Sequence, residues 1–209
     1  MIIVNSLESK HYNEEILNPL TGLRWGYATK GMFICPCCKN DRFHRKGSYD
    51  RYLIAPEDLN DFMSGKKTGL AARMKILRVQ CTECNSTHAV LPSDVVPYHS
   101  ASVQTVLFLL LYVCSATRCQ DFPDQAGRFF SWHYLNCLVT AYRLYKDRMT
   151  GVLYSMTADA GALSDADILK RYRDKDIRRL FLKREKVPLF VVRKSTCRYP
   201  LRYTMGCPT

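Results

Sequence analysis

Cys35-Pro36-Cys37-Cys38 and Cys81-Thr82-Glu83-Cys84 each place two thiols at C-x-x-C spacing. That spacing lets one tight turn present two sulfurs to a single metal ion, and two such turns supply four thiolates, the ligand set of a closed tetrahedral zinc site. A strand-like run precedes each pair: Met32-Phe33-Ile34 before the first and Met74 to Gln80 before the second. A strand leading into a C-x-x-C knuckle, twice, predicts a zinc ribbon with Zn(2+) held by Cys35, Cys38, Cys81 and Cys84. Cys37 reads as a bystander, or as a substitute for Cys38. His44 and His88 sit a few residues from a knuckle, where a supporting role fits better than ligation once four cysteines fill the site. A redox C-x-x-C calls for a neighbouring βαβ pattern, and iron–sulfur clusters use other spacings.

Working outward, Phe43 to Ile54 is rich in aromatic and β-branched residues and reads as a strand bulged at Gly47. Residues 55–72 read as a loop inserted between two ribbon strands, which is tolerated because closure entropy grows only logarithmically with length. Thr87 to Leu91 reads as a third strand. Upstream, Ile2-Ile3-Val4 is a short strand and Glu14 to Leu17 a brief helix broken by Asn18-Pro19. Val96-Pro97-Tyr98 marks a boundary.

Beyond it, Ser100 or Ser102 caps a helix from about Ala101 to Ala116, with Val103, Val106, Leu107, Leu110, Leu111 and Cys114 at helical spacing. Phe108, Leu109 and Tyr112 make its other side apolar, as for a helix central to a bundle. Asp121-Phe122-Pro123 opens a short helix ending near Gly127, and Ser131 caps a third helix from Trp132 to about Met149. Leu135, Leu138, Val139, Tyr142 and Tyr145 form its inner stripe. Short helix, turn, then a longer helix with polar and basic residues is a helix-turn-helix layout. His133, Asn136, Thr140, Arg143 and Lys146 are its expected DNA contacts. Ser164-Asp165-Ala166-Asp167 fits a capping box and starts one more helix, with Ile168, Leu169, Tyr172, Leu180 and Phe181 inside. Val187-Pro188 stops it.

The fold class expected is therefore α+β: a small antiparallel zinc ribbon followed by a helical bundle containing a helix-turn-helix. Residues 1–98 form the ribbon part, 99–186 the helical domain, and 187–209 a basic extended tail.

The formal charge is +12, from 31 basic and 19 acidic residues. Residues 1–140 hold 15 basic and 12 acidic residues, net +3, whereas 141–209 hold 16 and 7, net +9. A basic half joined to a zinc ribbon points to a polyanion, most readily double-stranded DNA, with RNA the alternative. Arg178, Arg179, Lys183, Arg184, Arg193 and Lys194 are expected on its phosphates. The longest apolar run, Val106 to Val113, is far short of the ~20 residues that span a bilayer. Met1 to Ser6 lacks a basic n-region, so a signal peptide is not expected there. A cytoplasmic, nucleoid-associated bacterial protein is expected, without a membrane partner.

The runs Ile34 to Cys38, Gly47-Ser48-Tyr49, Arg78 to Cys84, Thr87 to Pro92 and Val96-Pro97-Tyr98 resemble an uncharacterised zinc-ribbon family of bacterial mobile elements. It is similar to the N-terminal DNA-binding region of insertion-sequence transposases, where a helix-turn-helix follows the ribbon. The resemblance implies a zinc ribbon that positions a DNA-reading helix at element ends. A DNA-binding accessory factor or regulator of a mobile element is therefore expected; the alternative from a different class is an interaction module that docks on a transposase or polymerase through the apolar helix 101–116. The loop at 55–72 is longer than in such proteins, and Trp132 to Asn136 stands where they carry a Ser/Thr-rich helix start. A DDE transposase needs three carboxylates on an RNase H-like domain to hold two metal ions. The seven acidic residues of 141–209 lie mostly beside basic ones on a helix, so no enzyme is expected. Cys114, Cys119 and Cys137 fall in apolar helical settings, where cysteine is usually inert.

Overall fold

The computed structural model describes residues 2–4, 9–12, 16, 28–53, 72–115, 132–156, 162–185 and 187–190. Five strands, β1 (Ile2–Val4), β2 (Ala28–Lys30), β3 (Arg42–Leu53), β4 (Ala72–Cys81) and β5 (Thr87–Leu91), form one sheet in the order β1-β5-β4-β3-β2. The central β3–β4–β5 meander is antiparallel, as a ribbon requires. The sheet as a whole is mixed, because β1 pairs parallel to β5, Ile3 opposite Val90. The purely antiparallel sheet expected from sequence is corrected in this respect.

The β3–β4 register runs from Phe43 opposite Cys81 to Leu53 opposite Ala72. The long connection at residues 54–71 therefore leaves from the hairpin end far from the cysteines; it lies outside the described residues. The register shifts between Arg45 and Gly47, and Gly47 has φ 121°. Only glycine takes that conformation cheaply, so the bulge sits where the glycine is. The strand expected at Met32-Phe33-Ile34 lies instead at Ala28–Lys30. Met32 and Ile34 are exposed, and only Phe33 is buried.

β4 carries the burial logic of the sheet. Met74 and Ile76 are buried with Leu53, Leu91 and Val95, while Leu77, Val79 and Cys81 are buried with Phe43, Val90, Tyr12 and Phe33. Alternate residues of a strand point to opposite faces. The parity change between Ile76 and Leu77 therefore means that the two clusters lie on opposite faces. Tyr12, at the end of α1 (Ser9–Tyr12), bridges two strands where Leu77 and Val90 pair. Its hydroxyl accepts from the Leu77 N–H at 3.0 Å and donates to the Val90 carbonyl at 2.7 Å. Burial pushes that phenol up to about 12.

The helices are α2 (Val103–Ser115), α3 (Trp132–Tyr154), α4 (Asp165–Arg171) and α5 (Lys175–Glu185). Ser102 is the cap of α2, its Oγ accepting from the Thr105 N–H at 3.1 Å. Leu109 is as buried as Val106, Leu107 and Leu110, which fits a helix buried on several sides, although Cys114 is exposed rather than inward. α3 runs five residues beyond the expected end and keeps its inner stripe of Leu135, Leu138, Tyr142 and Tyr145.

The single helix expected after Ser164 is two. Ser164 caps α4 as predicted, but Tyr172 ends it, and Asp174 Oδ1 accepts from the Asp176 N–H at 2.9 Å to start α5. Arg178 closes the break by donating to the carbonyls of Tyr172 (3.1 Å) and Arg173 (2.6 Å). Tyr172 and Phe181, from either side of this break, enter the same core, their rings edge to face at 5.8 Å.

Ribbon and helices are stitched together at residues 95–103. Val95 bridges Ser102, and the Arg51 guanidinium of β3 donates to the carbonyls of Val96 (2.9 Å) and His99. Buried His99 places Nδ1 3.3 Å from the Tyr134 hydroxyl of α3. Burial, and secondarily Arg51, lower its pKa to about 4.

Candidate metal centre

The two knuckles share one backbone design. The Cys35 N–H donates to the Asn40 carbonyl at 2.8 Å, and the Cys81 N–H to the Ser86 carbonyl at 3.0 Å, the same five-residue span. The residue after each second cysteine is left-handed: Lys39 at φ 65° and Asn85 at φ 57°. The first knuckle leads into β3 and the second joins β4 to β5, so the Phe43–Cys81 register sets the knuckles side by side.

Their sulfurs meet crosswise, Cys35 Sγ 3.6 Å from Cys84 Sγ and Cys38 Sγ 3.5 Å from Cys81 Sγ, and all four lie within 4.8 Å of one another. A tetrahedron with metal–sulfur bonds of ~2.3 Å has edges of about 3.8 Å. A disulfide needs ~2.05 Å. The spacing suits four ligands of one metal ion. Cys35 and Cys81 are buried, and Cys38 and Cys84 are open to solvent. Without an ion the thiols are unequal: burial pushes Cys35 up to about 12, while hydrogen bonds to Ser86 bring Cys84 down to about 6. A cation removes the conflict by stabilising all four thiolates together.

Three supports surround the cluster. Asn40 Nδ2 lies 3.6 Å from Cys81 Sγ and donates to Thr82 Oγ1 at 2.9 Å, tying one knuckle to the other. Ser86 lies 3.6 Å from Cys37 Sγ. His88 is fully buried with Nε2 3.4 Å from Cys35 Sγ. The supporting place expected for His88 is thus occupied; His44 is half-buried on β3. Asn40 and Ser86 were not singled out by sequence reading. The available signal was positional, since each stands two residues after the second cysteine of its knuckle.

The expected nucleic-acid contacts divide. His133, Asn136, Thr140 and Arg143 are all exposed and fall three or four residues apart along α3, so they line one stripe. Lys146 pairs with Asp165 at 2.8 Å, beside the Tyr142 hydroxyl that donates to the same carboxylate. Arg178 is likewise held by backbone carbonyls, and Arg184 donates to the Gly151 carbonyl at 3.0 Å. Arg179 is exposed within 3.4 Å of Asp176, and Lys183 is exposed. Arg193, Lys194 and the rest of the tail, together with the short helix and turn expected before Ser131, lie outside the described residues, as does Cys119. Cys137 is buried near His133 Nε2 (3.8 Å). No described helix is long and apolar enough to cross a membrane.

Residues 35–118 match a family model described as a domain of unknown function, DUF6431. The matched stretch begins at Cys35, contains both knuckles and β3 to β5, and crosses the stitched junction into α2 and beyond. No curated protein and no solved structure matches the chain.

Proposed function

We propose that this chain is a zinc-dependent DNA-binding protein without a catalytic domain of its own, in which the ion organises the ribbon and α3 reads duplex DNA. The donor set favours zinc, because four thiolates in closed tetrahedral spacing suit a soft-tolerant ion of fixed charge. The observation that carries the DNA reading is the exposed stripe His133–Asn136–Thr140–Arg143. Asparagine pairs bidentately with adenine and arginine with guanine in the major groove. Thr140 donates to the Asn136 carbonyl at 2.8 Å, which leaves its oxygen lone pairs toward an incoming donor. The basic surplus after residue 141 supplies the sequence-independent share of affinity. The resemblance to ribbons of insertion-sequence transposases adds the context of a mobile element, with this chain as accessory factor or regulator beside a transposase.

Selection of bound duplexes from a random pool, followed by gel shifts with Asn136→Ala, tests the reading. A lost bidentate contact costs about 1–3 kcal/mol at its base. Specific binding should fall roughly tenfold or more, and non-specific binding much less. Equal loss for both would remove α3 as the reader. Stronger binding to structured RNA than to any duplex would favour the RNA alternative instead.

A further inference from the structure

Four sulfurs do not exhaust the ligands around Cys35. His88 Nε2 lies 3.4 Å from Cys35 Sγ, and the ligand atoms of Cys35, Cys37 and His88 all fall within 4.8 Å of one another. Two ligands of one tetrahedral zinc, sulfur at ~2.3 Å and nitrogen at ~2.05 Å, are separated by about 3.5 Å. The His88–Cys35 distance therefore fits shared ligation as well as it fits an N–H···S bond. The remainder of the ring is unusual. His88 is 0% exposed, its buried Nδ1 has no hydrogen-bond partner among the described residues, and Phe43 meets it edge to face at 6.0 Å. Buried polar atoms are nearly always satisfied, and a leucine here would fill the space without an orphaned nitrogen. Cys37 adds an exposed thiol that the four-sulfur set does not use.

We propose that the centre has a second coordination mode, in which a divalent ion is held by Cys35, Cys37 and His88 with its fourth position open to water or an incoming thiolate. The proposal rests on the four-thiolate reading of the same site, because Cys35 belongs to both sets and one ion serves both. In the closed mode His88 carries its proton on Nε2 and donates it to Cys35 Sγ. In the open mode that proton moves to Nδ1, and the Nε2 lone pair faces the ion. Three thiolates, Cys38, Cys81 and Cys84, leave the ion, while Cys37 enters as thiolate and gives up its proton. Cys38 and Cys81 are protonated as they leave and Cys84, hydrogen-bonded to Ser86, stays ionised, so the ligated ion goes from a net charge of −2 to 0, one proton is taken up overall, and no oxidant is involved. Three protein ligands with an open fourth position is the arrangement from which zinc exchanges ligands.

Cobalt(II) titration of the full chain tests this, with Cys84→Ser disabling the closed set and Cys37→Ser the open one. Both thiols are exposed, so neither substitution opens a cavity. Wild type and C37S should bind one equivalent with the same four-thiolate spectrum. C84S should still bind one, with thiolate-to-cobalt absorption cut to about half and a nitrogen ligand in X-ray absorption. Adding Cys37→Ser or His88→Gln to C84S should weaken binding at least ~tenfold. If C84S binds nothing, or binds with three sulfurs and is indifferent to Cys37 and His88, the second mode is overturned while the four-thiolate reading stands. A wild-type spectrum without four thiolates would overturn that reading as well.

Discussion

The ribbon and the helical half solve the same problem with different means. Among the described residues the helical cluster buries 20 side chains, including Tyr142, Tyr172, Phe181 and Phe190, in one continuous core. Among the described residues the ribbon buries nine on one face and five on the other, and two of the nine are Cys35 and Cys81. These described side chains are split between two faces, and small cores are usually supplemented by a metal or disulfides. The ribbon is therefore expected to depend on its ion, and the helices on hydrophobic burial alone. The stitched junction at Arg51, His99 and Tyr134 is where one half feels the other.

Metal removal should separate the halves most sharply. Structural zinc sites contribute about 10–16 kcal/mol of apparent binding free energy, which is folding free energy for the elements they organise. Chelation should abolish the protection of β3 to β5 amides against hydrogen exchange. The helical signal in circular dichroism, which comes chiefly from α2, α3, α4 and α5, should remain largely intact. Concerted loss of both would mean that the helical core cannot stand without the ribbon.

How much of this contrast the sequence carries depends on the range of the interaction. The knuckles, the β3–β5 meander, the Gly47 bulge and the capping box at Ser164 were legible because spacing and turn chemistry are local. The parity change at Ile76-Leu77 is visible too, as two adjacent apolar residues in an alternating run. The parallel partner of β1 was not legible, since nothing in Ile2-Ile3-Val4 specifies β5. Met32 and Ile34 misled because apolar residues at the surface carry no mark distinguishing them from core. The break between α4 and α5 follows from Asp174 and Arg178 capping freed backbone groups, whereas helical periodicity alone reads straight through. The intramolecular acceptors of Lys146, Arg178 and Arg184 were not legible, because a cation's acceptor is fixed by tertiary structure, not by its neighbours in sequence.

Acid should loosen the junction next. His99 has a pKa of about 4 in the folded chain against 6.5 for an ordinary imidazole. Between those values the unfolded chain binds a proton that the folded chain does not, so stability falls as pH drops from about 6.5 toward 4 and is fully present above that window. The gap corresponds to about 3 kcal/mol at most. The groups facing His99 are the Arg51 guanidinium and the Tyr134 phenol, and Tyr134 is itself held above its usual range by burial. Thermal melts from pH 7.5 to 4.5 should show a steeper loss for wild type than for His99→Gln. Comparing the two removes the metal's own acid sensitivity. Identical profiles would place the acid response elsewhere.

The smallest effect distinguishes the two knuckles and strengthens one half without touching the other. Lys39 and Asn85 both sit in the left-handed region immediately after the second cysteine of a knuckle. Asparagine visits that region readily because its short side chain bonds locally, whereas lysine has no such compensation and meets a Cβ clash of about 1–2 kcal/mol. Lys39→Gly removes the clash but enlarges the unfolded ensemble, at a cost of about 0.4–1 kcal/mol. The Lys39 N–H that donates to the Cys35 carbonyl at 3.0 Å is retained by glycine. The net gain should be about 0.7 kcal/mol. Because ribbon folding and metal binding are coupled, it should appear as roughly threefold tighter binding in a chelator competition, with no change in the melting of the helical half. Asn85→Gly should change affinity little or weaken it. Equal responses at the two positions would show that the knuckles are energetically as well as geometrically alike, and that Lys39 is not strained.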